Sequence, residues 1–478
     1  MMENRNATGY RPTWAQIDLD NLSHNLRQIR NNIAPGVRIM ACVKAEAYGH
    51  GLIPVSRQLV NSGVEFLAVA SIDEAVALRS SGIACRILVL GLVLEQDVPA
   101  LFEYDISPTV CSMALALGLD RHARRTGRAI DVHIKIDTGM ARIGIMHDKA
   151  YDFVRKVSAF PGIRIEGIFT HLACADTDKL LTLSQISLFD SLVRRLKKNG
   201  AAIPLVHAAN SMGVASYKNS HFSMVRPGLI LYGLRPADDI SLDLKPVMSL
   251  KTKVIFVKNV KAGTGISYGH TYKTTRATRI ATLPIGYGDG YPRNLSNTGP
   301  VLINGKRFTI AGRVCMDQVM VDMGREQVKV GDEAVLIGSQ AKERISAESL
   351  ASLAATIPYE IVCGIGSRVP RVYTKKTALP QDKRRRERAV CRIPVRFVDT
   401  PSLSGTPGIA ADISSGGLKL FTADPVLPYR PYELSLEQRR AEPVRVTASA
   451  VWSRPAPGNR HVCGMKFEKE LRDFKEVF

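Results

Sequence analysis

Lys44 ends the apolar run Val37 to Val43, with Tyr48 four residues on and Gly49-His50-Gly51 behind it. The run reads as a short buried strand, and Tyr48 to Gly51 as the turn that follows. A lysine held at a strand end and drawn partly out of water has a lowered amine pKa, so it can act as nucleophile or base. A Schiff base to a carbonyl compound is the direct use of such an amine. The bland reading is a lysine whose stem follows the strand and whose ammonium reaches solvent. Downstream residues decide between the two. His171, Asn210 with Ser211, and Arg226 sit at the ends of later apolar runs, and Lys135 and Arg142 flank Asp137-Thr138-Gly139. One such histidine alone would be a satisfied core residue, but several polar positions converging on one rim describe a site.

The elements that must position these residues show a rhythm. Eight short apolar runs end near Lys44, Ser71, Gly91, Val110, Asp137, His171, Asn210 and Gly228. Amphipathic stretches lie between them, among them Ile72 to Ser80, Lys149 to Ser158 and Leu183 to Lys197. Eight strand-helix units over residues 10–240 predict an α/β fold, a TIM-like (β/α)8 barrel whose carboxyl rim carries the site. An open doubly wound sheet is the competing arrangement. Over 241–376 short alternating segments between Gly-, Asn- and Pro-rich turns predict a mostly β domain. Beyond the basic stretch Lys383 to Arg388, residues 380–478 read as a third, small β domain with a helical tail from Glu468 to Val477.

The chain of 478 residues is ample for several cores. Its net charge of +21 divides into +15 before residue 380 and +6 after it. Spread in this way, the charge favours anionic small molecules over a nucleic-acid footprint, which would cluster on one face. Eight cysteines occur singly, without Cys-x-x-Cys or zinc spacing, so no metal site is predicted. No apolar run is long enough to span a membrane, and a reducing, cytoplasmic setting is the expectation.

Val43-Lys44-Ala45-Glu46-Ala47-Tyr48-Gly49-His50-Gly51 resembles the cofactor-lysine signature of the alanine racemases, enzymes of the pyridoxal 5'-phosphate fold-type III class. The resemblance continues, in family order, through Asp137 to Gly144, His171 to Asp176, His207 to Ser211, Arg226 to Gly233, Ser267 to Tyr272, Gly286 to Gly290, Gly312 to Asp317 and Arg368 to Arg371. It covers about residues 10 to 375. It departs from the family pattern mildly, at Glu46 and at Gly364 to Ser367.

The resemblance implies that Lys44 holds pyridoxal 5'-phosphate and serves as base on one face of the substrate carbon, with Tyr268 of the partner subunit on the other. Tyr48, Asn210, Ser211, Tyr359 and the backbone of Gly228 and Leu229 would hold the phosphate end. Arg226 would face the pyridine nitrogen and His171 would orient the tyrosine. Arg142 and Met316 would take the carboxylate of L- or D-alanine, with Lys135, carbamylated in much of the family, positioning Arg142. A homodimer with shared sites follows, as does a supply of D-alanine for peptidoglycan. A racemase of broader amino-acid range, or a binding module with a vestigial enzyme, is the alternative.

In the last hundred residues, Arg384-x-x-x-Arg388 and Asp412-x-Ser414-x-x-Gly417 resemble the two motifs of a PilZ domain, a β-barrel module that binds cyclic di-GMP. Two arginines four apart can stack on guanines and fork onto their N7 and O6 atoms, leaving Asp412 and Ser414 to the other edge.

Overall fold

A computed structural model describes residues 10–237 and 240–375, and six strand segments between 389 and 467. The chain forms two compact units, Met1–Lys376 and Thr377–Phe478.

In the first unit β1 (Thr13–Asp18) precedes β2 (Arg38–Cys42), β3 (Phe66–Val69), β4 (Arg86–Val89), β5 (Ser107–Val110) and β6 (Ile130–Asp137). The two-residue β7 (Ile145–Met146) attaches to the end of β6, and β8 (Ile163–Phe169), β9 (Leu205–His207) and β10 (Met224–Val225) follow. Parallel pairing runs from β2 through β6 to β8, β9 and β10, and then from β10 back to β2. That last pairing leaves no free edge, which excludes the open sheet and gives the closed barrel the rhythm predicts. The strands are short and nearly wholly buried, as parallel strands covered on both faces must be.

The helices follow from their caps. Asp18 accepts the N–H groups of Asp20 and Asn21 at 3.0 and 2.9 Å, starting helix Leu19–Asn32. Leu22, Leu26 and Ile29 then face the core at three- and four-residue spacing. Helix Lys179–Lys198 begins earlier than its apolar pattern suggests, because Asp178 caps it through Leu181 N–H at 2.9 Å.

The strand β1 leaves the barrel altogether. It pairs antiparallel with Met248–Lys253 and parallel with Arg371–Thr374, inside a seven-stranded sheet of the β domain. The chain then changes sheet between Lys253 and Phe256: Met248–Lys253 belongs to this sheet and Phe256–Val260 to a separate three-stranded one. Helices Ala347–Leu353 and Pro358–Gly364, unread from the sequence, close this part of the unit, and the second carries Tyr359.

The second unit is a closed antiparallel barrel of Ala389–Val398, Pro407–Ser414, Gly417–Thr422, Arg460–Phe467, Val444–Ala456 and Pro431–Leu436. Leu418, Leu420, Leu434, Leu436, Cys463 and Met465 form its core. Arg384, Arg388 and the expected tail helix lie outside the described residues.

Candidate active site

The strand end carrying Lys44 is pinned by Cys42 N–H to Pro227 O and Val43 N–H to Ala68 O, both 2.9 Å. The turn starts at Lys44 itself and not at Tyr48 as expected. Ala45, Glu46, Ala47 and Tyr48 all adopt φ between 53° and 55°, a left-handed helical turn without a glycine. Each such residue costs about 1–2 kcal/mol, so the surroundings must impose the conformation. Glu74 does so at one end, accepting Ala45 N–H at 2.6 Å and Ala70 N–H at 2.7 Å. At the other, Gly51 N–H reaches Glu46 O at 2.8 Å, and Arg371 Nε donates to Gly49 O at 2.9 Å. The turn leaves Lys44 half-buried at the rim and drives the Tyr48 ring inward.

Beside that ring lies a hydroxyl cradle. Tyr48 packs against Tyr232 and Tyr359, with ring centroids at 4.9 and 6.1 Å, and Tyr232 OH donates to Cys42 O at 2.9 Å. Burial pushes the Tyr48 phenol well above its ordinary range, so it stays a donor. Ser211 Oγ accepts Gly228 N–H at 3.0 Å, and Leu229 opens the following 3-10 turn. Asn210 caps helix Ser211–Ser216 through Gly213 N–H at 2.9 Å, so its contribution here is to hold Ser211 in place. A Cβ at Gly228 would stand 2.4 Å from the Tyr48 hydroxyl. If this cradle holds the cofactor phosphate that the resemblance implies, Gly228→Ala weakens that binding by about 10- to 100-fold, since roughly 1.4 kcal/mol accompanies each tenfold. Titration of the cofactor-free variant with pyridoxal phosphate reads this, and unchanged affinity would remove Gly228 from the cradle.

Arg226 forms the floor. It is buried, donating from Nη1 to His207 Nδ1 at 2.8 Å and from Nη2 to Thr170 O and Ala208 O at 2.7 and 3.1 Å. Burial lowers its pKa to about 10, which still leaves it a cation. Lys135 is buried as well, with Nζ 4.8 Å from the Phe169 ring centroid and no hydrogen-bond partner among the described residues. Burial first, then the charges of Arg226 and Arg142, push its amine well below the lysine range. Burial and the same cations keep His171 neutral. Arg142 is exposed on the loop after β6, whose start is wound around Asp137 through the N–H groups of Gly139, Met140 and Ala141.

Tyr268 and Met316 are assembled together, away from these groups. Ser267 Oγ donates to Arg313 O at 2.7 Å, and Gly288 N–H donates to Met316 O at 2.9 Å. Tyr268 is 71% exposed and Met316 52%. No hydrogen bond or ring contact among the described residues joins either to the rim of their own chain. In the second unit, Asp412 and Ser414 fall on Pro407–Ser414, with Ser414 opposite Gly417 on the next strand.

Glu74, Tyr232, His133 and Glu166 had no role in the sequence reading. A glutamate in a helix's first turn and a tyrosine in an apolar run look ordinary, and only the fold brings them to the site.

The alanine racemase N-terminal domain family matches residues 17–236, the alanine racemase C-terminal domain family 247–373 and the PilZ family 382–476. An alanine racemase of Halothermothrix orenii is 50% identical over 370 residues, covering 77% of this chain and 98% of the relative. The structure of alanine racemase from Clostridium difficile 630 superposes with a TM-score of 0.73 at 39% identity, over 76% of this chain and 96% of that one. The Bacillus anthracis alanine racemase with bound L-Ala-P gives 0.72 at 38%, over 77% and 96%. A closed barrel with a lysine on its rim and a β domain presenting an exposed tyrosine thus has its relatives among enzymes of one activity: the chain belongs to the alanine racemase family, and it carries a PilZ domain after the enzyme.

Proposed function

We propose that the protein interconverts L- and D-alanine with pyridoxal 5'-phosphate by two bases on opposite faces of the substrate carbon, and that the D-alanine serves peptidoglycan synthesis. The supporting observation is the rim itself, where Lys44, the hydroxyls of Tyr48 and Ser211 and the side-chain-free backbone of Gly228 close to the Tyr48 hydroxyl fit an aldehyde with an anionic phosphate arm. Tyr48, Ser211, Tyr359 and the backbone at Gly228 and Leu229 would hold that arm. Bound there, the cofactor supplies an electron-withdrawing ring that acidifies the α-proton of an amino acid joined to it.

The chain's own residues do the rest. Lys44 Nζ holds or returns the proton on one face, and Tyr268 of the partner subunit does so on the other, oriented by His171. Arg226, a cation that does not readily give up its proton, donates to the ring nitrogen and leaves it unprotonated, which suppresses side reactions. Arg142 and the backbone of Met316 take the substrate carboxylate. The exposure of Tyr268 and Met316 suits a homodimer in which each subunit completes the other's site.

A neutral, buried, unpartnered Lys135 amine is set to add to CO2, losing a proton to become a carbamate that offsets Arg226 and Arg142. Exhaustive removal of CO2 is expected to raise KM for alanine and to strip one CO2 mass per chain in intact mass spectra. A spectrum without that mass under CO2-rich buffer would sink the carbamate.

For the PilZ domain, cyclic di-GMP binding by Arg384, Arg388, Asp412, Ser414 and Gly417 is proposed, with an effect on racemisation. The test is the alanine racemisation rate of the full-length protein with and without saturating cyclic di-GMP, and of Arg384→Ala. A changed rate that the variant abolishes supports coupling. An unchanged rate leaves the racemase and removes the regulation. The location proposed is the cytoplasm: among the described residues no helix is long and apolar enough to cross a membrane.

A further inference from the structure

Arg226 is a buried cation that pairs with no carboxylate among the described residues: its hydrogen bonds reach His207 and two carbonyls. Such a charge needs an anion, and the hydrogen bonds lead to one. His207 Nε2 lies 2.8 Å from His133 Nδ1, and His133 Nε2 lies 3.2 Å from Glu166 Oε2. The other Glu166 oxygen pairs with Arg86 at the start of β4. His207, His133 and Glu166 are 0%, 1% and 5% exposed, so water has little access to the chain.

The donor pattern fixes every proton. Arginine only donates, so His207 Nδ1 must accept, and the neutral ring then carries its hydrogen on Nε2. That N–H obliges His133 Nδ1 to accept and His133 Nε2 to donate to the carboxylate. All hydrogen bonds therefore point one way, from Arg226 to Glu166. Burial and Arg226 hold both imidazoles neutral, with His133 lowered to about 3. The titratable and charged groups around the pair are Arg226 and Lys135 on the rim side, and Asp131, Arg86 and Glu166 beyond. Room for the chain comes from Gly167, opposite His133, where a Cβ would stand 2.3 Å from His133 Nδ1.

We infer that Glu166 is a positioning residue for the cofactor site, acting as the remote counter-charge that fixes Arg226 as a donor through the one-way pair His133 and His207. This rests on the reading that Arg226 faces the ring nitrogen. A helper that merely filled the core would need neither a carboxylate at the end nor a single tautomer in between.

Solid-state 15N spectra of the 15N-histidine-labelled, full-length holoenzyme, reconstituted with ring-15N pyridoxal phosphate, test it. The expected result is hydrogen on Nε2 at both His133 and His207. Glu166→Gln, which still accepts the His133 N–H but carries no charge, keeps the tautomers and nevertheless moves the ring-nitrogen resonance, because the counter-charge is gone. Glu166→Leu loses the single tautomer at His133, moves the His207 resonances and moves the ring-nitrogen resonance, although it touches neither Arg226 nor the ring. If Glu166→Leu does not fold, His133→Phe cuts the chain at its middle and makes the same comparison.

Hydrogen on Nδ1 of His207 in the unmodified protein, or His207 resonances unmoved by either cut, overturns the inference. His207 resonances that move while the ring nitrogen stays put leave the relay to Arg226 standing and instead remove Arg226 from the ring.

Discussion

Replacing Lys44 with alanine is expected to lower alanine racemisation by more than about 10⁴-fold and to abolish the visible absorption of bound cofactor. In the proposed mechanism the size follows from two losses at once: the covalent hold on the cofactor and the proton-moving group on one face. The other lysine near the rim, Lys135, offers no substitute, since its Nζ lies against the Phe169 ring beneath the site. The fold itself should survive, because Glu74 and Arg371 hold the left-handed turn through backbone atoms that do not depend on the lysine side chain. Absorbance and rate, measured together after reconstitution, check this. A variant within tenfold of the parent rate would mean that another amine does the work.

Tyr268→Phe is expected to cost about 10²–10⁴-fold in racemisation, the range for removing one acid-base group. The more telling readout is isotopic. In D2O, Lys44 alone can still remove and return the proton on its own face, so one enantiomer exchanges its α-hydrogen with retention while inversion nearly stops. Tyr268 is mostly exposed in its own chain, so loss of its hydroxyl should leave thermal stability within about 0.5 kcal/mol. If both enantiomers still exchange and invert at the parent rate, the second base lies elsewhere.

Much of this was legible in the sequence, for definite physical reasons. A closed parallel barrel writes each strand as a short apolar run with polar residues at its carboxyl end, which is why Lys44, Lys135, His171 and Arg226 stood out. Other features left no local trace. The turn after Lys44 is left-handed without glycine, imposed by Glu74 from another helix, so turn chemistry pointed four residues too late. The alternation from Trp14 to Leu19 reads like any strand with one exposed face, and only the pairing of Thr13–Asp18 with Met248–Lys253 decides its sheet. His133, Glu166 and His207 sat inside apolar runs where a lone polar residue says nothing. Their meaning comes from neighbouring strands that place the three in one line.

The proposed two-base site shared between subunits is tested most directly by mixing Lys44→Ala with Tyr268→Phe under conditions that let subunits exchange. Each protein alone is expected to be nearly inactive. In a symmetric dimer, random mixing places an intact Lys44 opposite an intact Tyr268 of the partner subunit in about a quarter of all sites, so activity should return to about that fraction of the parent rate. No recovery, with exchange verified by mass-tagged subunits, would mean that each site is built from one chain, and Tyr268 could not be its second base.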